Sequence, residues 1–189
     1  MAKKLTASIA VLAGLVAVLS LSVLALFTDT ASVPANTFTT GTVDISTSPT
    51  SALVTYSGMA PGDQVVNPIT VSNAGTLQLR YAVTSTTTEN TLAAQLDLTI
   101  KSGVTTCTTG GFDTDGTVVY AAADLGSTTG VNVIGDPTQG AQAGDRTLAA
   151  SGSEVLCFKV SLPSSTGNTF QGLTTTATFA FQAEQTKNN

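Results

Sequence analysis

In the stretch Leu77-Gln-Leu-Arg-Tyr-Ala-Val-Thr84, every second side chain is large and apolar or aromatic: Leu77, Leu79, Tyr81 and Val83. The side chains between them are polar or small. Successive side chains of a strand point to opposite faces, so this period of two predicts a β-strand with one buried face. Similar alternation marks three further segments: Leu92–Lys101, Leu156–Leu162 and Ala177–Ala183. Shorter candidate strands are Leu53–Tyr56, Ile69–Ser72 and Val118–Ala121.

Turn-forming residues separate these runs, as in Pro61-Gly62-Asp63 and Gly135-Asp136-Pro137. Many short strands between such turns predict an all-β, antiparallel, jelly-roll-like β-sandwich over residues 49–187. Residues 103–152 are richer in Gly, Asp and Thr, and we interpret them as a loop-rich insertion with short strands. Glu89–Leu98 and Ala121–Leu125 could each hold a helical turn instead of a strand.

Residues 1–25 have the layout of an export signal. Lys3 and Lys4 precede an apolar run, and Val23-Leu24-Ala25 suits a signal-peptidase site between Ala25 and Leu26. The apolar run is also long enough for an uncleaved membrane anchor. In both cases the remainder of the chain is expected outside the cytoplasm, because the positive flank stays inside.

The chain has two cysteines, Cys107 and Cys157. In an exported protein such a pair predicts one disulfide, although two free buried thiols are the alternative.

Charge and composition argue against several functions. The formal net charge is −5, with 7 Lys and Arg residues in 189, which is too few and too dispersed to neutralise a phosphate backbone, so we expect no nucleic-acid binding. The chain has no histidine, the usual general base and zinc ligand, so we predict no enzymatic activity, no catalytic residues, no metal and no cofactor. Lys101 and Lys159 are interpreted as solvated strand ends. Asp113 and Asp115 match only the first half of a calcium loop and are interpreted as part of a turn.

Several motifs, in order, resemble the TasA/camelysin family of exported surface and biofilm-matrix proteins. They are Leu26-Phe-Thr-Asp-Thr30, Asn36-Thr-Phe-Thr-Thr-Gly-Thr-Val-Asp-Ile45, Met59-Ala-Pro-Gly-Asp63, Ile69-Thr-Val-Ser-Asn-Ala-Gly-Thr-Leu77, Leu162-Pro-Ser-Ser-Thr-Gly-Asn168 and Phe179-Ala-Phe-Gln-Ala-Glu-Gln185. The resemblance covers residues 26–84 and 155–187 and fades between them. Although camelysin is classed as a metallopeptidase, this chain has no His-Glu-x-x-His motif.

The resemblance implies a jelly-roll domain exported through a dedicated signal peptidase, with a surface or biofilm-matrix role. It also implies fibres in which the N-terminal segment of one subunit adds as a strand to the next, so that the partner is the protein itself. Here residues 26–48 would be the donor, with five apolar residues as the assembly interface: Phe27, Val33, Phe38, Val43 and Ile45. The same segment could instead pair within its own subunit. A monomeric surface adhesion module, anchored in the membrane by residues 1–25, is the alternative function.

Overall fold

A computed structural model describes residues 37–51 and 58–187 of the chain. The chain divides into two compact units, residues 1–39 and residues 40–189. In the first unit, the described residues 37–39 form no regular secondary structure. In the second, the described residues form nine β-strands and one short 3-10 turn (Asn168–Phe170), and every strand pair is antiparallel. The predicted all-β antiparallel class is confirmed.

Five strands form the first sheet, which we call sheet A, in the order β1-β2-β8-β4-β5. Their bounds are β1 Ile45–Ser48, β2 Gln64–Asn73, β4 Asp97–Ser102, β5 Thr117–Asp124 and β8 Ser153–Ser161. Long central strands β2 and β8 pair along their whole shared length, from Gln64 opposite Ser161 to Ser72 opposite Ser153. The predicted strand at 53–56 lies outside the described residues.

Four strands form sheet B, with β3 in the middle. Their bounds are β3 Leu79–Thr87, β6 Val131–Ile134, β7 Arg146–Leu148 and β9 Ala177–Gln185. Strand β9 pairs with β3 over its whole length, from Leu79 opposite Gln185 to Thr87 opposite Ala177. The short strands β6 and β7 share the other side of β3. The 103–152 segment thus supplies β5 to sheet A and both β6 and β7 to sheet B.

The core lies between the two sheets. Sheet A contributes alternate side chains of β8, and sheet B contributes alternate side chains of β3, as the period of two predicts. The fully buried members include Leu79, Tyr81, Val83, Leu98, Ile100, Leu156 and Phe158. Each large apolar side chain buried in this way contributes about 1.5–3 kcal/mol. The sandwich is therefore held mainly by apolar contact between the sheets.

The prediction of a strand through residues 92–96 is wrong, and the alternative of a helical turn there is confirmed. The N–H of Ala94 bonds to the carbonyl of Asn90, and the N–H of Leu96 bonds to that of Leu92. The Glu89 carboxylate accepts hydrogen bonds from the N–H groups of residues 91–93 and so caps this turn. Ala93 and Leu96 are buried, which is the spacing of a helix rather than of a strand.

Asn73, at the end of β2, joins the two sheets through its side chain, which is almost fully buried. Its amide nitrogen donates to the carbonyls of Leu77, Leu148 and Ala149, at 2.8, 3.3 and 3.0 Å. Its amide oxygen accepts the N–H of Gly75 at 2.9 Å. One side-chain amide thus bonds to backbone groups between β2 and β3 and to carbonyls at and just after the end of β7.

Replacing Asn73 with Leu should lower the free energy of unfolding by about 2–4 kcal/mol, because buried carbonyls and one buried N–H lose their partner. Urea unfolding followed by circular dichroism measures the change. Asn67→Leu, in the same strand, is the matched control and should shift the free energy by less than about 1 kcal/mol. Equal losses in the two variants would contradict this role for Asn73.

Candidate functional site

The predicted assembly segment, residues 26–48, is described from residue 37 onward. Two of its predicted interface residues, Phe27 and Val33, lie outside the described part of the chain, and so do Ala25 and Leu26 of the predicted cleavage site. Among the others, Phe38 is 94% exposed and Val43 is 40% exposed. Ile45 begins β1 and packs, half-buried, against the core of the sandwich.

From Thr42 onward this segment is bonded to its own subunit. The carbonyl of Thr42 accepts the N–H groups of Thr76 and Leu77 at 3.1 Å each, and the carbonyl of Asp44 accepts that of Ala74 at 2.8 Å. Gly75 allows the close approach, since a Cβ there would lie 2.4 Å from the carbonyl oxygen of Thr42. Strand β1 then pairs with β2. Val43 and Ile45 therefore lie in a part of the segment that completes its own sandwich.

Strand β9 is the outer strand of sheet B among the described residues, and this makes it the feature of the fold most relevant to assembly. Within the described residues, β9 pairs with β3 alone, so its second side receives no described strand. Its core-facing side chains are Ala177, Phe179, Phe181 and Ala183, and all four are only half-buried. The Phe179 ring meets that of buried Phe158 edge-on at 5.1 Å, and the Phe181 ring lies 6.1 Å from that of Tyr81. Core-facing aromatic surface is thus partly uncovered beside a strand edge.

The sequence predicts β9 as a strand but does not indicate that, within the described residues, this strand has a neighbour on one side alone. The alternation of Ala177, Phe179, Phe181 and Ala183 is the same as that of a central strand, because period two reports faces and not neighbours. The absence of charged residues from 177 to 183 favours a strand that is paired or covered on both sides, since exposed outer strands commonly carry charges that block pairing.

The predicted disulfide between Cys107 and Cys157 is present, with Cα atoms 5.6 Å apart. It ties the loop after β4 to the outer face of sheet A. Phe112 is fully buried there and packs with Val66 and Cys157 in a small second cluster.

The interpretation of Lys101 and Lys159 as solvated strand ends is wrong. Both ammonium groups lie over the Phe112 ring, at 4.9 and 4.6 Å from its centroid, where a cation and an aromatic face attract. Lys101 also donates to the carbonyls of Phe112 and Asp115. These lysines hold the disulfide-bonded loop on sheet A.

The two aspartates of the half calcium motif serve the same loop. Asp113 pairs with Lys159 at 2.9 Å, and both oxygens of Asp115 accept the N–H of Thr105 at 3.2 Å. Each carboxylate therefore has a protein partner, as expected for residues that organise a loop.

Two further carboxylates form ion pairs with arginines. Glu154 accepts the Tyr81 hydroxyl at 2.7 Å and forms a two-pronged ion pair with Arg146. Burial and the hydrogen bond with Glu154 raise the pKa of Tyr81 well above its usual range. Glu184 pairs with buried Arg80 on the outer face of sheet B.

The sequence model of a protein family described as camelysin metallo-endopeptidase matches residues 1–189. Among curated proteins, none matches the chain.

A metallo-endopeptidase requires ligands for a metal, and the residues of this chain do not fit a catalytic zinc. The chain has no histidine, and both cysteines are in the disulfide, so only carboxylates remain. Among the described residues, no three His, Cys, Asp or Glu side chains converge, and Glu154 and Glu184 face arginines. Carboxylates alone select zinc poorly.

No helix within residues 37–51 and 58–187 is long and apolar enough to cross a membrane.

Replacing Tyr81 with Phe should make stability less sensitive to alkaline pH. Unfolded tyrosine ionises at about pH 10, while Tyr81 in the folded protein keeps its proton, so the free energy of unfolding of the native sequence should fall above that pH. At pH 8 the native sequence should be more stable than Tyr81→Phe by about 1–2 kcal/mol, since the hydrogen bond to Glu154 is lost. The difference should shrink as the pH rises above about 10.

Urea unfolding between pH 8 and pH 11 tests this. Tyr120→Phe is the comparison variant: burial and the charge of Asp124 raise the pKa of Tyr120 without a hydrogen bond, so at pH 8 this change should cost less stability than Tyr81→Phe. A difference in the free energy of unfolding between the native sequence and Tyr81→Phe that stays constant up to pH 11 would contradict this explanation.

Proposed function

This chain belongs to the camelysin metallo-endopeptidase family, and from that premise we propose that it is an exported structural subunit of a cell-surface or biofilm-matrix fibre. Subunits join head-to-tail, each adding its N-terminal segment as a strand to the sandwich of the next. A head-to-tail contact that repeats without closing produces a filament.

The observation that carries the proposal is the edge of sheet B. Strand β9 pairs on one side within the described residues, and its inward-facing Phe179 and Phe181 remain half-buried. A strand added alongside residues 177–183 of β9 would extend the backbone ladder of sheet B, and its side chains would cover half-buried Phe179 and Phe181. In strand addition, backbone hydrogen bonds supply the affinity and pockets for alternate side chains supply the specificity.

The donor in this proposal is residues 26–40. The chain from Thr42 onward is bonded to its own subunit, and β1 already extends sheet A, so the transferable part ends before that point. Residues 26–40 carry Phe27, Val33 and Phe38, and the high exposure of Phe38 is what a donor residue without its acceptor would show.

Proteolysis is not part of the proposal, because the residues of the chain do not fit a catalytic zinc site. Casein cleavage by recombinant protein that survives a chelator and repurification would contradict a purely structural role. A full-length protein that stays monomeric in the membrane fraction would support the anchored adhesion module instead.

Recombinant protein that begins at Leu26 should form filaments, and protein that begins at Gly41 should remain a monomer with the same β-sheet circular dichroism. The reason is that the second protein keeps its acceptor edge but has no strand to donate. Negative-stain electron microscopy and sedimentation velocity measure the two outcomes.

The double variant Phe27→Asp/Phe38→Asp should also stay monomeric, because it places charges in apolar pockets. Thr28→Asp/Thr39→Asp is the matched control, with the same added charge at neighbouring positions, and should retain most assembly. Normal filaments from the protein that begins at Gly41 would rule out strand donation by residues 26–40.

A further inference from the structure

Residues 41–44 are held by the loop between β2 and β3, residues 74–77, and we call this arrangement the clasp. The N–H of Thr42 donates to Oγ1 of Thr76 at 3.0 Å, and the N–H of Thr76 donates to Oγ1 of Thr42 at 3.2 Å. The carbonyls of Thr42 and Asp44 also accept backbone N–H groups of this loop. The clasp therefore fixes residues 41–44 to the sandwich through both side chains and backbone.

The loop of the clasp is shaped by buried Asn73, whose side chain bonds to the N–H of Gly75 and to the carbonyl of Leu77. Two glycines permit the close approach of the two segments. A Cβ on Gly75 would lie 2.4 Å from the carbonyl oxygen of Thr42, and a Cβ on Gly41 would lie 2.5 Å from the side chain of Leu77. The clasp is thus complete within a single subunit, before any partner arrives.

The clasp lies beside the C-terminal end of β9. The N–H of Leu77 bonds to the carbonyl of Thr42. The next residue, Gln78, accepts the N–H of Thr186 through its carbonyl at 3.2 Å, and Thr186 directly follows the last residue of β9. The opposite end of β9, at Ala177, lies about 27 Å from there, since a strand rises about 3.4 Å per residue.

Strand direction makes the position of the clasp decisive. Every strand pair within the described residues is antiparallel. A donor that continues this pattern runs opposite to β9, so its C-terminal end lies beside Ala177. In a subunit's own segment, the three steps from Phe38 to Gly41 span at most about 11 Å, and Gly41 is held at the other end of β9. The segment therefore cannot pair along its own β9 in the antiparallel direction.

This obstacle matters because a donor tethered to its own acceptor normally has the advantage over one from another molecule. A tethered segment that can reach its site has an effective concentration in the millimolar range, whereas one that cannot reach has an effective concentration near zero. On the premise of the function proposed above, we propose that the clasp prevents self-donation and so directs residues 26–40 to a second copy of the chain. Thr42, Gly75 and Thr76 are its positioning residues.

Linkers of Gly and Ser inserted between Thr40 and Gly41, in protein that begins at Leu26, test this by length. Three added residues extend the reach from Phe38 to about 20–22 Å, still short of Ala177, so this variant is the matched control and should form filaments. Sixteen added residues reach more than about 50 Å at full extension, so this variant should complete its own edge and stay monomeric. Sedimentation velocity and negative-stain electron microscopy measure both outcomes.

Amide hydrogen exchange separates self-donation from a simple loss of assembly. In the monomer with the sixteen-residue linker, residues 177–183 should exchange at least about tenfold more slowly than in the protein that begins at Gly41. Adding Phe27→Asp/Phe38→Asp to the sixteen-residue variant should abolish this protection, because charged side chains do not enter apolar pockets.

Two glycine substitutions in the three-residue variant test the clasp itself. Gly75→Ala places a Cβ against the backbone of Thr42 and releases residues 41–44. The reach then rises to about 33–36 Å, so the monomer fraction should increase at least about twofold. Gly110→Ala is the matched control, because a Cβ there meets nothing within 4 Å, and it should leave the filaments unchanged. Circular dichroism verifies folding, and the linker series decides the result if Gly75→Ala unfolds.

Filaments from the sixteen-residue variant would overturn the clasp proposal, as would monomers of it in which residues 177–183 stay unprotected. Equal effects of Gly75→Ala and Gly110→Ala would also overturn it. In each of these cases filaments of the native sequence would still support the proposed function. A native sequence that begins at Leu26 and forms no filaments would instead contradict the proposed function and, with it, the inference that rests on it.

Discussion

The hydrogen-bonded ladders on the two sides of β3 determine how sheet B can be completed. On one side, β6 and β7 together replace one full-length strand; on the other, β9 pairs along the whole of β3. An outer strand can pair with a further strand unless it is covered or blocked. The completion of sheet B therefore depends on what lies next to β9. Half-buried Phe179 and Phe181 show that the apolar layer, like the backbone ladder, is incomplete at that edge within the described chain.

The charged residues follow a second pattern. Arg80 and Glu184 join neighbouring strands β3 and β9 of sheet B, and Lys159 and Asp113 fasten a loop to sheet A. Arg146 and Glu154 link β7 of sheet B to β8 of sheet A. A chain that uses its few charges in this way has none grouped for a metal within the described residues, which agrees with the lack of histidine in the whole sequence. Membership of a family named for a peptidase therefore does not by itself assign peptidase chemistry to any of the described residues.

Much of the fold could be predicted from sequence because alternation directly reports a buried face. The inward residues of β3 and β8 follow the pattern from Leu79 to Val83 and from Leu156 to Val160. The pattern fails at 92–96, where Leu92 and Leu96 suit both a strand and a helical turn, and the cap by Glu89 decides between them. The pattern also carries no information on long-range pairing, so the pairing of β9 with β3 alone among the described strands could not be read from spacing.

The account rests on the claim that β9 receives a strand from another subunit. Amide hydrogen exchange on protein that begins at Leu26, compared between monomers and filaments, tests it most directly. The account predicts that amides of residues 177–183 exchange slowly in filaments and markedly faster in monomers, whereas those of β5, at the far edge of sheet A, do not change. Equal protection of residues 177–183 in both states would contradict strand donation to this edge.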